Sequence, residues 1–398
     1  MQDDNKKDSD LVEREVDDTI IDSHVNINKF ILNPVISVIY GEDKGKLFPF
    51  NHSTIIGRGN QSDVIINDKL VSRSHLKVFY ENNSFNIEDL NSANGTYLEG
   101  KKIDKLSALP GAVVKIGNTL ITLTLKSDEQ IQAEEKLYNS HKNTSDSIAS
   151  AAIIQNTILS DESALKNYFS EYLIIWEPKD IVSGDIYLIE EITPEELLIF
   201  VIDCVGHGVS GAFITMSVKA IEQQILTDIK NTQDLISPAA ILNKFNQHIN
   251  QLSQKGSDNT SNDISFDGGV LYYNKSRQEV KYSGSSNTLI YTQDKLTNII
   301  KGDKHSIGCH DPAEHFQYKE HYLNVNAGMS FYLFTDGYTD QVGGKKGFSF
   351  GRKNFVKLIE AMNELPMREQ KKTFVETMKN YQGLSERRDD ITLIGLKV

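Results

Sequence analysis

"VIDCVGHGVSGAF", Val201 to Phe213, follows the apolar run "ELLIFVIDC" and carries the spacing G-x-G-x-x-G at Gly206, Gly208 and Gly211. Two readings compete. One is a dinucleotide-binding turn; the other is a strand-to-helix connection whose glycines serve the acid just before them, Asp203. A dinucleotide turn needs an early place in a βαβ unit and an acidic residue about twenty positions on. Downstream here lies "VKAIEQQILTDIK", which reads as one long helix with Glu222 on its pattern, not as a second strand. The alternating strand–helix pattern of a parallel sheet is also missing from the residues beyond that helix. The glycines are therefore read together with Asp203.

Three more aspartates share that setting. Asp185 in "VSGDIYLIEE" follows Gly184 and opens a strand, Asp336 in "SFYLFTDGYTD" closes an apolar strand, and Asp389, with Asp390, in "ERRDDITLIGLKV" opens the last one. In antiparallel neighbours the end of one strand lies beside the start of the next, so four carboxylates are expected at one edge of the sheets. Like charges gathered and partly desolvated raise one another's pKa. Divalent cations remove that conflict, and carboxylate, carbonyl and water oxygens suit hard ions such as Mg2+ or Mn2+. A single Asp beside a Gly is a turn residue; its recurrence beside strong strands favours the metal reading.

The chain of 398 residues is long enough for two or three domains, and its 39% hydrophobic and 24% charged fractions are those of a globular protein. A net charge of −13 argues against broad phosphate-backbone binding of nucleic acid. No run of eighteen apolar residues is present to span a membrane, no secretion signal opens the chain, and two cysteines build no disulfide framework. A cytoplasmic protein is expected. Four segments separate: an acidic disordered tail over 1–33, a β-rich module over 34–127, a helical linker over 128–160, and a mixed α+β domain over 161–398. Within the linker, "NSHKNTSDS" predicts a break, with Ser and Asp capping a second helix.

The β-rich module has three clusters at strand boundaries: "IIGRG" (Gly57, Arg58), "VSRSH" (Ser72, Arg73, His75) and "NSANGTYL" (Asn94, Gly95, Thr96). Two Arg, a Ser hydroxyl and an Asn amide are donors suited to a phosphate on a peptide backbone. The segment resembles a forkhead-associated (FHA) domain. The resemblance implies a β-sandwich that binds phosphothreonine peptides through Arg58, Ser72, Arg73 and Asn94, with Gly57 and His75 shaping the loops. In the tail, "EVDDTIIDS" places Thr19 in an acidic context with Asp22 three residues on. Phosphorylated Thr19 is therefore a candidate ligand for this module, in cis or from a second copy.

Over Ile148 to Val398, "SGDIY", "DCVGHGVSGA", "YSGSSNTLIY", "FTDGYTD" and "RDDITLI" resemble the metal-dependent protein phosphatases of the protein phosphatase 2C type. The matching branch is the bacterial one typified by the stage II sporulation protein E phosphatase. The resemblance implies a β-sandwich flanked by helices with two Mn2+ or Mg2+ ions at one edge. Asp203 would bridge both ions, Asp185 and the carbonyl of Cys204 would serve one, and Asp336 and Asp389 the other. A metal-activated water would then hydrolyse phosphoserine or phosphothreonine on a partner protein, without a phosphoenzyme. Ser183 and Ser210 stand where the branch often has Gly and Pro.

Other residues are weaker candidates. His207 reads as a general acid or as a packing residue of its turn. "HSIGCH" (His305, Cys309, His310) lacks a fourth ligand for zinc. Asp263 and Asp267 could assist a further metal, and Lys179 is the one basic candidate for holding phosphate. Ile131 and Tyr138 are heptad-spaced, and related enzymes use a helix in this place as a dimerising switch, so a homodimer through the linker is expected. The competing function is an FHA adaptor carrying a degenerate phosphatase domain; retention of all four acids favours the enzyme.

Overall fold

The computed structural model describes residues 32–159, 161–232, 235–255, 264–294, 296–309 and 316–398. Expectations that fall on the tail, Thr19, Asp22, Asp263 and His310 lie outside the described residues. The chain divides into two compact units, Met1–Lys142 and Asn143–Val398, and the division falls inside the long helix Asp128–Ile158. That helix corrects one expectation. It runs unbroken through "NSHKNTSDS", because the Ser147 and Ser150 hydroxyls turn back onto the carbonyls of Asn143 and Asp146 at 2.8 and 2.9 Å and so do not cap a new helix.

The first unit is a sandwich of a six-stranded and a five-stranded sheet. Its strands alternate, as in Thr119–Lys126 ("TLITLTLK"), where Thr119, Ile121 and Leu123 point inward. Ile36, Ile56, Val78, Phe85, Val114 and Ile121 from both sheets close the core.

The second unit is two five-stranded sheets, packed face to face with helices on the outer sides. One sheet holds Asp185–Thr193, Glu196–Cys204 and Phe266–Asn274 side by side, and the other pairs Ser330–Phe334 with Ile391–Lys397. Every pairing within these two sheets is antiparallel. The run "LLIFVI" is continuously apolar because its strand is buried on both faces: Leu198, Phe200 and Ile202 pack against Val218, Leu242 and Phe245 of the helices Gly208–Thr232 and Pro238–Lys255. Leu197, Ile199 and Val201 pack against Phe331, Leu333 and Ile394 of the opposite sheet. Glu222 does lie on the helix Gly208–Thr232, where its buried carboxylate takes the Lys219 ammonium at 3.0 Å.

Candidate active site

Alternation along the strands builds the site. Since Leu197, Ile199 and Val201 face the opposite sheet, Asp203 continues that face at the strand's end. Asp185 shares it with Tyr187 and Ile189, and Asp267 shares it with Leu271 and Tyr273. The register sets Asp185 against Asp203 and Asp203 against Asp267, so three carboxylates lie abreast across neighbouring strands. From the facing sheet, Asp336 follows Ser330–Phe334 and Asp389 precedes Ile391–Lys397; these strands are antiparallel, with Phe334 opposite Leu393, so both acids emerge at the same end. A cavity of about 240 Å3 opens there, lined by Asp203, Asp267, Asp336, Asp389, His207 and Ser306 among others.

Asp185 does not line this cavity. It is 2% exposed, and its Oδ2 accepts from the hydroxyls of Thr335 at 2.7 Å and Thr392 at 2.8 Å. The Trp176 indole N–H donates to its backbone carbonyl at 3.1 Å. The two acids of "RDD" divide their work. Asp389 faces the cavity, whereas Asp390 accepts from the backbone N–H groups of Lys179 at 2.6 Å and Gly184 at 2.7 Å, pinning the loop before Asp185. Lys179 thus contributes its backbone to this loop, and no lysine or arginine is among the residues lining the cavity.

The electrostatics are those of an anion cluster. Burial, then the carboxylates of Asp185, Asp336, Asp389 and Asp267, hold the Asp203 carboxyl well above the usual range. Burial, then Asp340 and Asp389, push Asp336 up to about 6. Burial outweighs the two threonine donors at Asp185 and raises it. Asp267 is raised by burial, and its Oδ1 is buried without a hydrogen-bond partner. Among the described residues no three His, Cys, Asp or Glu side chains close on a single point. A pair of hexacoordinate ions that keep much of their water needs only one or two carboxylates apiece, which is what a ring of acids around an open cavity offers. The orphaned Asp267 oxygen, the raised carboxyls and the lack of a lysine or arginine along the cavity fit hard divalent cations.

The glycines of the opening stretch act through close approach. A Cβ on Gly211 would stand 2.3 Å from the Gly206 carbonyl oxygen and 2.7 Å from the Gly184 Cα, so the first turn of the helix can lie on the loop that carries Asp185. Gly206 and Gly208, at φ +94 and +66, flank His207 in conformations that favour glycine. One residue of the long helix reaches the same loop. The Gln155 side chain, 1% exposed, donates to the Ser183 carbonyl at 2.7 Å and the Thr215 hydroxyl at 3.1 Å, and accepts from the Ser183 N–H at 2.9 Å.

In the first unit, Arg58, Ser72, Arg73 and Asn94 sit on loops tied to one another. The Arg58 N–H donates to the Ser72 carbonyl at 2.9 Å and the Gly59 N–H to that of Arg73 at 3.0 Å. The Ala93 N–H donates to the Ser72 Oγ at 3.0 Å, which keeps the hydroxyl proton available to a ligand, and the Asn94 amide donates to the Leu70 carbonyl at 2.7 Å. His75 is wholly buried; its Nδ1 accepts from the Ser72 N–H at 3.0 Å and its Nε2 meets the Gly95 carbonyl at 3.2 Å, so the neutral ring staples two of the loops. Asp89 supports the third cluster by accepting from Ser92 and Thr96.

Sequence reasoning named Asp267 only as an aid to a further metal and missed Gln155, Thr335, Thr392 and Ser306. Only Asp267 carried a local signal, an acid beside "GG" at a strand start.

Comparisons with known proteins give likenesses for both units. The sequence profile of Stage II sporulation protein E (SpoIIE) matches residues 193–398, and that of the "Inner membrane component of T3SS, cytoplasmic domain" matches residues 37–127. The FHA domain-containing protein FhaB of Mycolicibacterium smegmatis is 36% identical over 74 residues, 18% of this chain and 48% of that protein. The phosphoserine phosphatase RsbP of Bacillus subtilis is 22% identical over 187 residues, 46% of this chain and 41% of that protein. The chain spans about half the length of the curated relatives it matches. The solved SiaA-PP2C domain of Pseudomonas aeruginosa superposes with a TM-score of 0.57 at 30% identity, covering 65% of this chain and 98% of that domain. No helix among the described residues is long and apolar enough to cross a membrane.

Proposed function

The chain belongs to the stage II sporulation protein E (SpoIIE) family, and from that premise we propose that it is a metal-dependent protein phosphatase acting on phosphoserine or phosphothreonine of a partner protein. The observation that carries the reading is the convergence of Asp203, Asp267, Asp336 and Asp389 on one cavity, with Asp185 abreast of Asp203. Asp203, Asp336 and Asp389, with Asp185 and the Cys204 carbonyl, would hold the Mn2+ or Mg2+ ions. Such ions, when bound, lower the pKa of a water and offset the charge of the phosphoryl oxygens. The protein's part is preorganisation. Thr335 and Thr392 fix Oδ2 of Asp185, while Asp390 anchors the loop before it. The apolar layers beneath keep water from the far side of the carboxylates.

The experiment is hydrolysis of p-nitrophenyl phosphate with Mn2+, beside manganese uptake by calorimetry, in the wild type and Asp203→Asn. Turnover and uptake in the wild type, both lost in the variant, are expected. Wild-type protein that takes up manganese but hydrolyses nothing would leave only a phosphopeptide reader. The FHA-like unit would bind phosphothreonine peptides through Arg58, Ser72, Arg73 and Asn94, phosphorylated Thr19 among its candidate ligands. A phosphorylated Thr19 peptide that binds no tighter than its unphosphorylated twin would remove that ligand.

A further inference from the structure

The stretch "YSGSSNTLIY", Tyr282 to Tyr291, supplies no acid to the cavity, yet it runs from one sheet of the second unit into the other. Tyr282 lies on Glu279–Ser285, which pairs with the Asp267 strand Phe266–Asn274. Asn287 leads into Thr288–Gln293, which pairs with Ser330–Phe334, the strand that ends before Asp336. We propose that Asn287 is a positioning residue: with Tyr282 it clamps the two sheets and so sets the separation of Asp267 and Asp336 across the cavity. This rests on the metal reading above. Asn287 is 7% exposed, and its Nδ2 donates to the Phe334 carbonyl at 2.8 Å, two residues before Asp336. Its Oδ1 accepts from the Tyr282 hydroxyl at 3.1 Å. A carbonyl can only accept, so the bond to Phe334 fixes which way the amide faces. Tyr282 is 0% exposed, and burial raises its hydroxyl above the ordinary range, which keeps it a donor. The backbone of Asn287 is held as well, since its carbonyl accepts from the Gly302 N–H at 2.8 Å.

Bare backbone makes room for this pair. A Cβ on Gly269, two residues after Asp267, would stand 2.8 Å from both the Asn287 Oδ1 and the Tyr282 hydroxyl oxygen. Gly284, opposite Gly269 in the register, would bring a Cβ to 2.6 Å from the same hydroxyl oxygen. Asp336 itself makes no side-chain cap bond to the helix Gly337–Asp340, so its place follows from the strand end that Asn287 holds. The Thr335 and Thr392 hydroxyls tie Asp185 of one sheet to the other; the Tyr282–Asn287–Phe334 chain is a separate tie that serves Asp267 and Asp336. Burial between the sheets opposes their separation but is non-directional and does not fix their offset. Hydrogen bonds do, and a site for hard cations tolerates an error of only about 0.5 Å in its oxygens.

The probe is Mn2+ alone, titrated by calorimetry into the full chain, with urea unfolding in chelator measured beside it. Asn287→Leu removes both bonds at similar volume. Tyr282→Phe removes only the bond between the sheets and keeps Asn287 on Phe334. Leu226→Ala, a buried change in the distal half of the helix Gly208–Thr232, is the control for lost stability without a lost clamp. Asn287→Leu should weaken manganese binding about 10–100-fold and Tyr282→Phe about tenfold, the losses expected when an outer partner of a metal site is removed. Leu226→Ala should lower the unfolding midpoint and leave manganese affinity at the wild-type value. Tyr282→Phe deletes a single oxygen, so it decides the matter even where Asn287→Leu does not fold. Wild-type manganese affinity in Tyr282→Phe, or equal weakening in Leu226→Ala, would overturn the clamp and leave Asn287 a residue of the fold alone. Wild-type protein that takes up no manganese would instead sink the metal reading, and this inference with it.

Discussion

Replacing Gln155 by Met should loosen the loop that carries Asp185, although Gln155 lies on a different element and touches no cavity residue. The substitution keeps the side chain's length and removes its polar atoms. It leaves the N–H and carbonyl of Ser183 without partners, at a residue that is 0% exposed, where water cannot replace them. Each orphaned buried group costs about 1–3 kcal/mol, so the pair amounts to about 2–6 kcal/mol. That is a large part of the ~5–15 kcal/mol that holds a domain together. The chain's one tryptophan gives a local assay, since Trp176 donates to the Asp185 carbonyl and its fluorescence reads this very loop. Urea unfolding followed at Trp176 should show a midpoint lowered by about 1–2 M with an unchanged slope. Turnover of p-nitrophenyl phosphate should fall at least about tenfold, since a small misplacement of a site residue is enough for that. A midpoint within error of wild type, together with undiminished turnover, would refute the claim that Gln155 supports the site.

The raised carboxyls predict an inverted pH dependence. Asp336 and Asp185 retain protons up to about 6 and about 8 in the folded chain, against 3.8 ordinarily, so the folded state binds more protons across that interval. The metal-free second unit should therefore lose stability as pH rises from about 4 to about 8, and Asp203→Asn should flatten the fall; urea titrations in chelator check both. His75 behaves oppositely: burial lowers it from 6.5, so the unfolded chain protonates first and the first unit should lose stability as pH drops below about 6.5, read by hydrogen exchange in Leu76–Glu81. Gly211→Ala should cost about 1–3 kcal/mol or more and reduce turnover, because its Cβ meets backbone atoms that cannot step aside; wild-type melting would contradict the close approach.

Much of the architecture was legible in the sequence because strand burial writes itself into residue type. The run before Asp203 is apolar at every position because its strand is covered on both faces, and each of the four expected acids stands where an apolar run begins or ends. The clusters around Arg58, Ser72 and Asn94 were legible for a similar reason: loops at one end of a sandwich recur at each strand boundary. The stretch "NSHKNTSDS" misleads because hydroxyls that can cap a helix can equally bond back within one, and only neighbouring geometry selects between these.

What the chain alone determined is which residues carry charge at strand ends and which face each strand buries. What only the tertiary structure decided is register and long-range hydrogen bonding. Asp267 resembles any turn acid until the pairing of Asp203 with Asp267 sets it beside the others. Asp185 looks equivalent to its three companions until Thr335 and Thr392, 150 and 207 residues away, are seen to claim one of its oxygens. Side-chain alternation is a local property with a period of two, and so it survives in a single sequence. Which strands become neighbours, and at what offset, is fixed by the packing of the whole core, which no single segment encodes.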